Sequence, residues 1–264
     1  MRPSPLSFAL TLAAALVLST TAFAAPSDTP CDLLITGGKI VDGTGAPWFR
    51  GDVCVADGRI NAIQAPGKLA GRSAKRTIDA TGLVVSPGFI DLLGQSEYAV
   101  LVDPRAASKI TQGITTEITG EGSSIAPTNE RQIAEGEDAW KHYGVRPDWT
   151  DLDGYFRAFE KARPAINLGT LVGAGGVRDL VVGKENRPAT PKELAEMESL
   201  VDTAMRQGAF GLSTSLQYVP GRFASTAEIV ALAKVAAKYG GVYFTHQRSE
   251  QREIDASMDE VMTI

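Results

Sequence analysis

The sequence predicts an α/β protein, an incomplete (β/α)8 barrel of the TIM type that follows a small antiparallel β unit. Three observations predict it. Up to Val85, short β-branched and apolar runs are broken by Gly-Gly and Asp-Gly, the punctuation of hairpins. Beyond Val84, strand-like runs alternate with helical patterns, which is the order of parallel βαβ units. Most of these later runs end in glycine or polar residues, as barrel strands do on the face that carries sites.

In chain order, Leu33 to Thr36, Gly37-Gly38 and Lys39 to Asp42 read as one hairpin. Asp52 to Val55, Ala56-Asp57-Gly58 and Arg59 to Ile63 read as a second. The barrel is expected to start at Gly88–Leu92, after the bend Ser86-Pro87, and Ala106–Gln112 to form a short helix stopped by Gly113. Thr115–Thr119 is the second barrel strand and opens into the loop Gly120-Glu121-Gly122-Ser123-Ser124. A polar insertion contains a helix over Leu152–Ala162. The third strand is Ile166–Val172, with a glycine-rich loop Gly173-Ala174-Gly175-Gly176 after it. Thr190-Pro191-Lys192-Glu193 is a capping box with proline at the first helical position, and its helix runs to about Gln207. Phe210–Thr214 is the fourth strand, Ser225 to Glu228 a second capping box, and Val242–Thr245 the fifth strand, with His246 at its end. No G-x-G-x-x-G opens a helix, which argues against an open dinucleotide-binding sheet. About 180 residues follow Val84, against about 250 for a closed barrel, so roughly three βα units are wanting. Apolar positions at helical spacing from Glu253 to Ile264 run to the last residue with no cap, and a piece of a longer protein is expected.

The organisation expected is thus a signal peptide over 1–24, a β unit over 31–85 and barrel units over 86–264. The leader is read from Arg2, the apolar run Phe8 to Leu18 and the Ala22-Phe23-Ala24 cleavage triplet, and it implies a secreted or periplasmic protein. Hydrophobic residues make up 44% of the 264 and charged residues 22%, with a net charge of -5. That balance points away from nucleic acid and from membrane surfaces. The only cysteines are Cys31 and Cys54, both in the β unit. A bridge between them and two separate buried thiols are both compatible with the sequence.

Few residues can carry chemistry. His246 stands at a strand end, where a neutral imidazole can bind Zn²⁺. Glu121 lies between two glycines that let the backbone approach a centre closely, and its carboxylate suits a metal ligand or a base. Tyr218 is a candidate substrate contact. Arg248 is a candidate partner for a substrate carboxylate, or for Glu250 or another acid. Asp91 is read as a loop-orienting carboxylate, Glu97 as a surface or helix-start acid, and His142 as a solvated residue. There is no Ser-His-Asp or Cys-His arrangement and no phosphate loop.

The segments Asp32-Leu33-Leu34-Ile35-Thr36-Gly37-Gly38, Pro87-Gly88-Phe89-Ile90-Asp91 and Gln112-Gly113-Ile114-Thr115-Thr116-Glu117 carry a family likeness. So do Gly211 to Gly221 and Tyr243-Phe244-Thr245-His246-Gln247-Arg248-Ser249-Glu250. Together they resemble the N-acyl-D-amino-acid deacylase (D-aminoacylase) branch of the amidohydrolase superfamily. The resemblance implies a composite β-sandwich beside a metal-dependent TIM barrel, and amide hydrolysis by metal-activated water. Two departures stand out. Leu93 and Gln95 replace the histidine pair of the first strand, and Glu121 falls where a cysteine is usual. A single zinc held by Glu121, His246 and a histidine from outside the sequence is the arrangement expected. The function expected is hydrolysis of non-peptide C–N bonds in small N-acyl-amino acids. The alternatives are a degenerate barrel that binds a small ligand without turnover, or an inactive piece with exposed sheet edges.

Overall fold

A computed structural model describes residues 29–264; the signal peptide expected over 1–24 lies outside the described residues. The chain divides into two compact units at Pro87 and Gly88.

The first unit is one mixed five-stranded sheet. Its strands are β1 (Cys31–Ile40), β2 (Phe49–Ala56), β3 (Arg59–Gln64), β4 (Ala74–Asp79) and β5 (Val84–Val85). The order is β3-β2-β1-β4, with β5 beside the far half of β1. The second hairpin forms as expected, and both turn residues, Asp57 and Gly58, have positive φ, as a two-residue hairpin turn of matching twist requires. The first hairpin does not form. Gly37-Gly38 lies inside the continuous strand β1, where the register against β2 shifts between Ile35 and Gly38. A bulge rather than a turn results because β1 has neighbours on both sides, antiparallel β2 and parallel β4 and β5. Buried Asp52 secures the bulge by accepting from Gly37 N at 2.8 Å and Gly67 N at 2.7 Å. Cys31 and Cys54 form a disulfide with Cα atoms 5.5 Å apart, inside a small core with Leu34, Ala62 and Leu69. Among the described residues this unit is a single sheet; residues 31–85 are expected to form only part of a composite β-sandwich.

The second unit alternates strands and helices. They are β6 (Phe89–Asp91), α1 (Ala99–Val102), α2 (Ala107–Ile110), β7 (Ile114–Thr119), α3 (Glu130–Glu135), α4 (Glu137–Tyr143) and α5 (Leu152–Ala162). Then follow β8 (Asn167–Thr170), β9 (Val172–Gly173), α6 (Ala174–Val181), α7 (Pro191–Arg206), β10 (Gly211–Ser215), α8 (Thr226–Ala237), β11 (Val242–His246) and α9 (Ile254–Thr263). All pairings are parallel, in two ladders, β6-β7-β8 and β9-β10-β11. The expected third strand is divided at Leu171, its first half on β7 and its second on β10. Leu171 N donates to Thr119 O and Phe210 N to Thr170 O, both at 2.9 Å, which carries the hydrogen bonding across the break. Among the described residues the ladders do not close into a barrel.

Helix α7 begins at the Thr190 capping box, as its sequence requires, and buries Met197, Val201, Ala204 and Met205 along one stripe. The second box is only half made. Ser225 accepts from Glu228 N, but the Glu228 carboxylate pairs with Arg178 at 2.6 Å, with side chains 5% and 1% exposed. A buried guanidinium without a partner is costly, and Glu228 is the partner that spares it. The glycine run after β9 is not a loop but the start of α6. A Cβ on Gly173 would lie 2.5 Å from Ser123 Cα, and one on Gly175 2.7 Å from Gly122 O. The glycines let α6 press against the loop that carries Glu121. No described helix is long and apolar enough to cross a membrane.

Candidate functional site

Parallel register places Ser215, at the end of β10, opposite His246, at the end of β11. One turn of loop after β7 brings Glu121 to the same place. Gly120 and Gly122 flank it with φ of +94° and +66°. A Cβ on Gly120 would lie 2.3 Å from Leu171 O, and one on Gly122 2.3 Å from Ser215 Cβ. Only glycine fits either position. Ser213 ties the loop down, donating to Gly120 O and accepting from Gly122 N. Gly122 O in turn accepts from Gly176 N, at the start of α6.

The result is a close pair, with His246 Nδ1 3.3 Å from Glu121 Oε1. Their side chains are 23% and 16% exposed, enclosed yet within reach of a ligand. Glu250 Oε1 lies 3.5 Å from the other ring nitrogen, Nε2. The Tyr218 ring meets the imidazole edge-on at 5.3 Å between centroids, and Tyr218 itself is 57% exposed. Beneath, Thr214 Oγ1 is 2.8 Å from both Tyr243 OH and Thr245 Oγ1, a hydroxyl cluster that joins β10 to β11.

The pair fits two corners of a zinc site. Ligand atoms held at about 2.0–2.1 Å in a tetrahedron lie about 3.3 Å from each other. Glu250 cannot be a third ligand to the same ion, because it faces the opposite nitrogen of the ring. Among the described residues, no group of three His, Cys, Asp or Glu could hold a metal. Glu121 and His246 are thus two side chains at a spacing two zinc ligands could have.

Arg248, a candidate partner for a substrate carboxylate or for an acid of the chain, is engaged by an acid. It donates to both oxygens of Glu260 at 2.8 Å and to the carbonyls of Arg222 and Ala224. Its acid is Glu260 on α9 rather than Glu250, and that pairing raises the Arg248 pKa and lowers that of Glu260. Arg248 thus fastens the loop after β11 to α9.

The end of β6 is built differently. Asp91 orients its loop as expected, accepting from Leu93 N at 3.1 Å. Leu93 and Gln95 are both exposed. Glu117, in the middle of β7, is fully buried and accepts from Ser96 N at 3.0 Å. Lys109 Nζ lies 2.6 Å from Asp91 Oδ2 and 3.5 Å from Glu117 Oε1. Glu97 stands at the start of α1, just before its N-cap Tyr98, which is the helix-start place expected for it rather than an exposed one. It is half-buried, and burial, with the nearby Glu117 charge, raises its pKa. Sequence reading passed over Lys109 and Glu117. The signal available was a lone carboxylate within the β-branched run Ile114–Thr119.

No protein-family model matches the chain. It is 37% identical over 236 residues to the N-acyl-D-glutamate deacylase of Alcaligenes xylosoxydans xylosoxydans, covering 88% of this chain and 47% of that protein. Among solved structures it is similar to the N-acyl-D-glutamate deacylase of Bordetella bronchiseptica, complexed with zinc and a phosphonate inhibitor that mimics the tetrahedral intermediate. The TM-score is 0.80 at 37% identity, over 89% of this chain and 49% of that one. A D-aminoacylase described as defining a novel subset of amidohydrolases matches at TM-score 0.75 and 33% identity, again over 89% and 49%. The chain spans about half the length of the relatives it matches.

Proposed function

We propose that this chain, a relative of the D-aminoacylase-type amidohydrolases over about half of their length, belongs to a hydrolase that deacylates small N-acyl-amino acids. The observation that carries the reading is the Glu121–His246 pair at the ends of parallel strands, set at the separation of two ligands to one ion. The six parallel strands β6 to β11, with β8 and β9 as the two parts of one divided strand, are read as the first part of a (β/α)8 barrel, and the remaining ligands as coming from the portion that the relatives have beyond this match. One divalent ion, zinc, is proposed. When bound, such an ion polarises an amide carbonyl and lowers the pKa of water to near neutrality.

The chain's own residues prepare that centre. Glu121 brings a negative charge on a loop that its glycines fix in place. An ion bound between His246 Nδ1 and Glu121 would leave the ring proton on Nε2, 3.5 Å from the Glu250 carboxylate. Tyr218 covers the open edge of the imidazole and is placed to meet substrate. Arg248 positions the loop rather than the substrate. The leader over 1–24 is read as sending the protein to the periplasm or out of the cell.

The test is zinc content and turnover of N-acyl-D-amino acids by the protein at the length of its relatives, with Glu121→Ala and His246→Ala alongside. Unchanged zinc in both variants would overturn the reading. The changed first strand favours one other outcome, a binder. Tight uptake of an N-acyl-amino acid with no turnover would establish it.

A further inference from the structure

The two positions that depart from the family pattern, Leu93 and Gln95, lie in a loop closed over a buried charge. Gly94 N donates to Ile118 O at 2.9 Å. The Glu117 carboxyl fills the space beside Gly94 so fully that a Cβ there would lie 1.9 Å from Glu117 Oε1. Ser96 N donates to that same oxygen, and Leu93 N to Asp91. Both carboxylates face one cation, the Lys109 ammonium, whose side chain is only 17% exposed. Glu117 Oε2 is buried with no hydrogen-bond partner. A fully buried carboxylate with one bare oxygen needs a fixed positive charge close by.

We infer that Lys109 is the resident cation at the end of the first barrel strand, an internal ammonium that holds the Leu93–Ser96 loop shut over Glu117 and leaves no metal position there. Burial opposes the charge on Lys109, yet Asp91 and Glu117 outweigh it and raise its pKa, so the ammonium stays charged through neutral pH. A site closed by a covalently attached cation cannot lose it to a chelator or exchange it for a metal. Lys109 is thus a positioning residue: it neutralises β7 at Glu117, four residues before Glu121, and fixes the strand from which that loop departs. The metal part of this inference rests on the function proposed above; the ammonium part does not.

Two measurements on the full-length protein test it. The first is thermal melting of Lys109→Met, Lys109→Arg, Glu117→Gln and the Lys109→Met/Glu117→Gln double variant. Lys109→Met is expected to lower Tm by about 10 °C, the effect of stranding a buried charge. Lys109→Arg should keep most of the stability, and the double variant should recover much of what Lys109→Met loses. If Lys109→Met does not fold while Lys109→Arg does, the inference stands. Equal Tm for wild type and Lys109→Met, or strictly additive effects of Lys109→Met and Glu117→Gln, overturns it. The second is zinc per chain. Asp91→Asn and Glu117→Gln should leave it unchanged, whereas Glu121→Ala and His246→Ala should lose it. Zinc lost from Asp91→Asn or Glu117→Gln would make these residues ligands and refute the inference. No zinc in the wild type would refute the proposed function instead, and the melting series would still decide the role of Lys109.

Discussion

The strands β6 and β11 are outer strands of the two parallel ladders of one unit, and their ends have opposite designs. At β6 the charges are closed on themselves: Asp91 and Glu117 share Lys109, and backbone N–H groups of the following loop take up the oxygens that face them. At β11 the groups are brought together but left open. Glu121 and His246 lie 3.3 Å apart, about as enclosed as Lys109 and Asp91, and among the described residues neither is ion-paired to a lysine or arginine. The difference teaches where to look for chemistry. Polar groups that satisfy one another hold a fold together, whereas groups held close and left available can take a ligand.

This contrast can be broken or sharpened by substitution. The largest effect is expected at the open end: His246→Ala or Glu121→Ala in the full-length protein should cut kcat/KM by more than about 100-fold and release the metal. Comparable losses from Leu93→Ala would erase the distinction between the two ends. Next comes the scaffold beneath it. Arg178→Met should destabilise the fold by about 3–5 kcal/mol in denaturant unfolding, because Glu228 is left charged and buried. Gly122→Ala follows, with about 1–3 kcal/mol of strain at a positive φ and lower activity through a displaced Glu121 loop.

Glu250→Gln should cost about 10-fold in kcat/KM, through the loss of the carboxylate that orients His246. The smallest effect expected is at the closed end, in the pH dependence of stability. Burial and then the Glu117 charge raise the Glu97 pKa in the folded state, so the native protein binds that proton more tightly than the unfolded chain. Stability should therefore fall as pH rises from the ordinary glutamate range through the raised value, and Glu97→Gln should flatten that slope in melts recorded across pH. A steeper slope in the variant would contradict the placement of Glu97.

Much of this was legible in the residues. Thr190-Pro191-Lys192-Glu193 announced α7, because a capping box satisfies its donors locally. His246 at a strand end and Glu121 between two glycines could be named as candidates from the alternation of strands and loops alone. What failed did so for reasons of context. Gly37-Gly38 reads as a turn until β1 is seen to have partners on both sides. Glu228 completes a capping box on paper, but Arg178, 50 residues away, claims its carboxylate. Arg248 could be read either for a substrate carboxylate or for an acid of the chain, and only the fold shows that Glu260 takes its guanidinium.

Local sequence determined the strands β7, β10 and β11, the helices α5, α7 and α8, the place where the β unit gives way to parallel strands, and which side chains at strand ends could act as ligands. These are set by periodicity, turn residues and caps, which act over a few residues. Only the tertiary structure decided which charges meet: the disulfide of Cys31 with Cys54, the shared cation of Asp91 and Glu117, and the approach of Glu121 to His246, 125 positions apart in the chain. Electrostatic and covalent pairing depends on distance in space, and the folded strands alone set that distance.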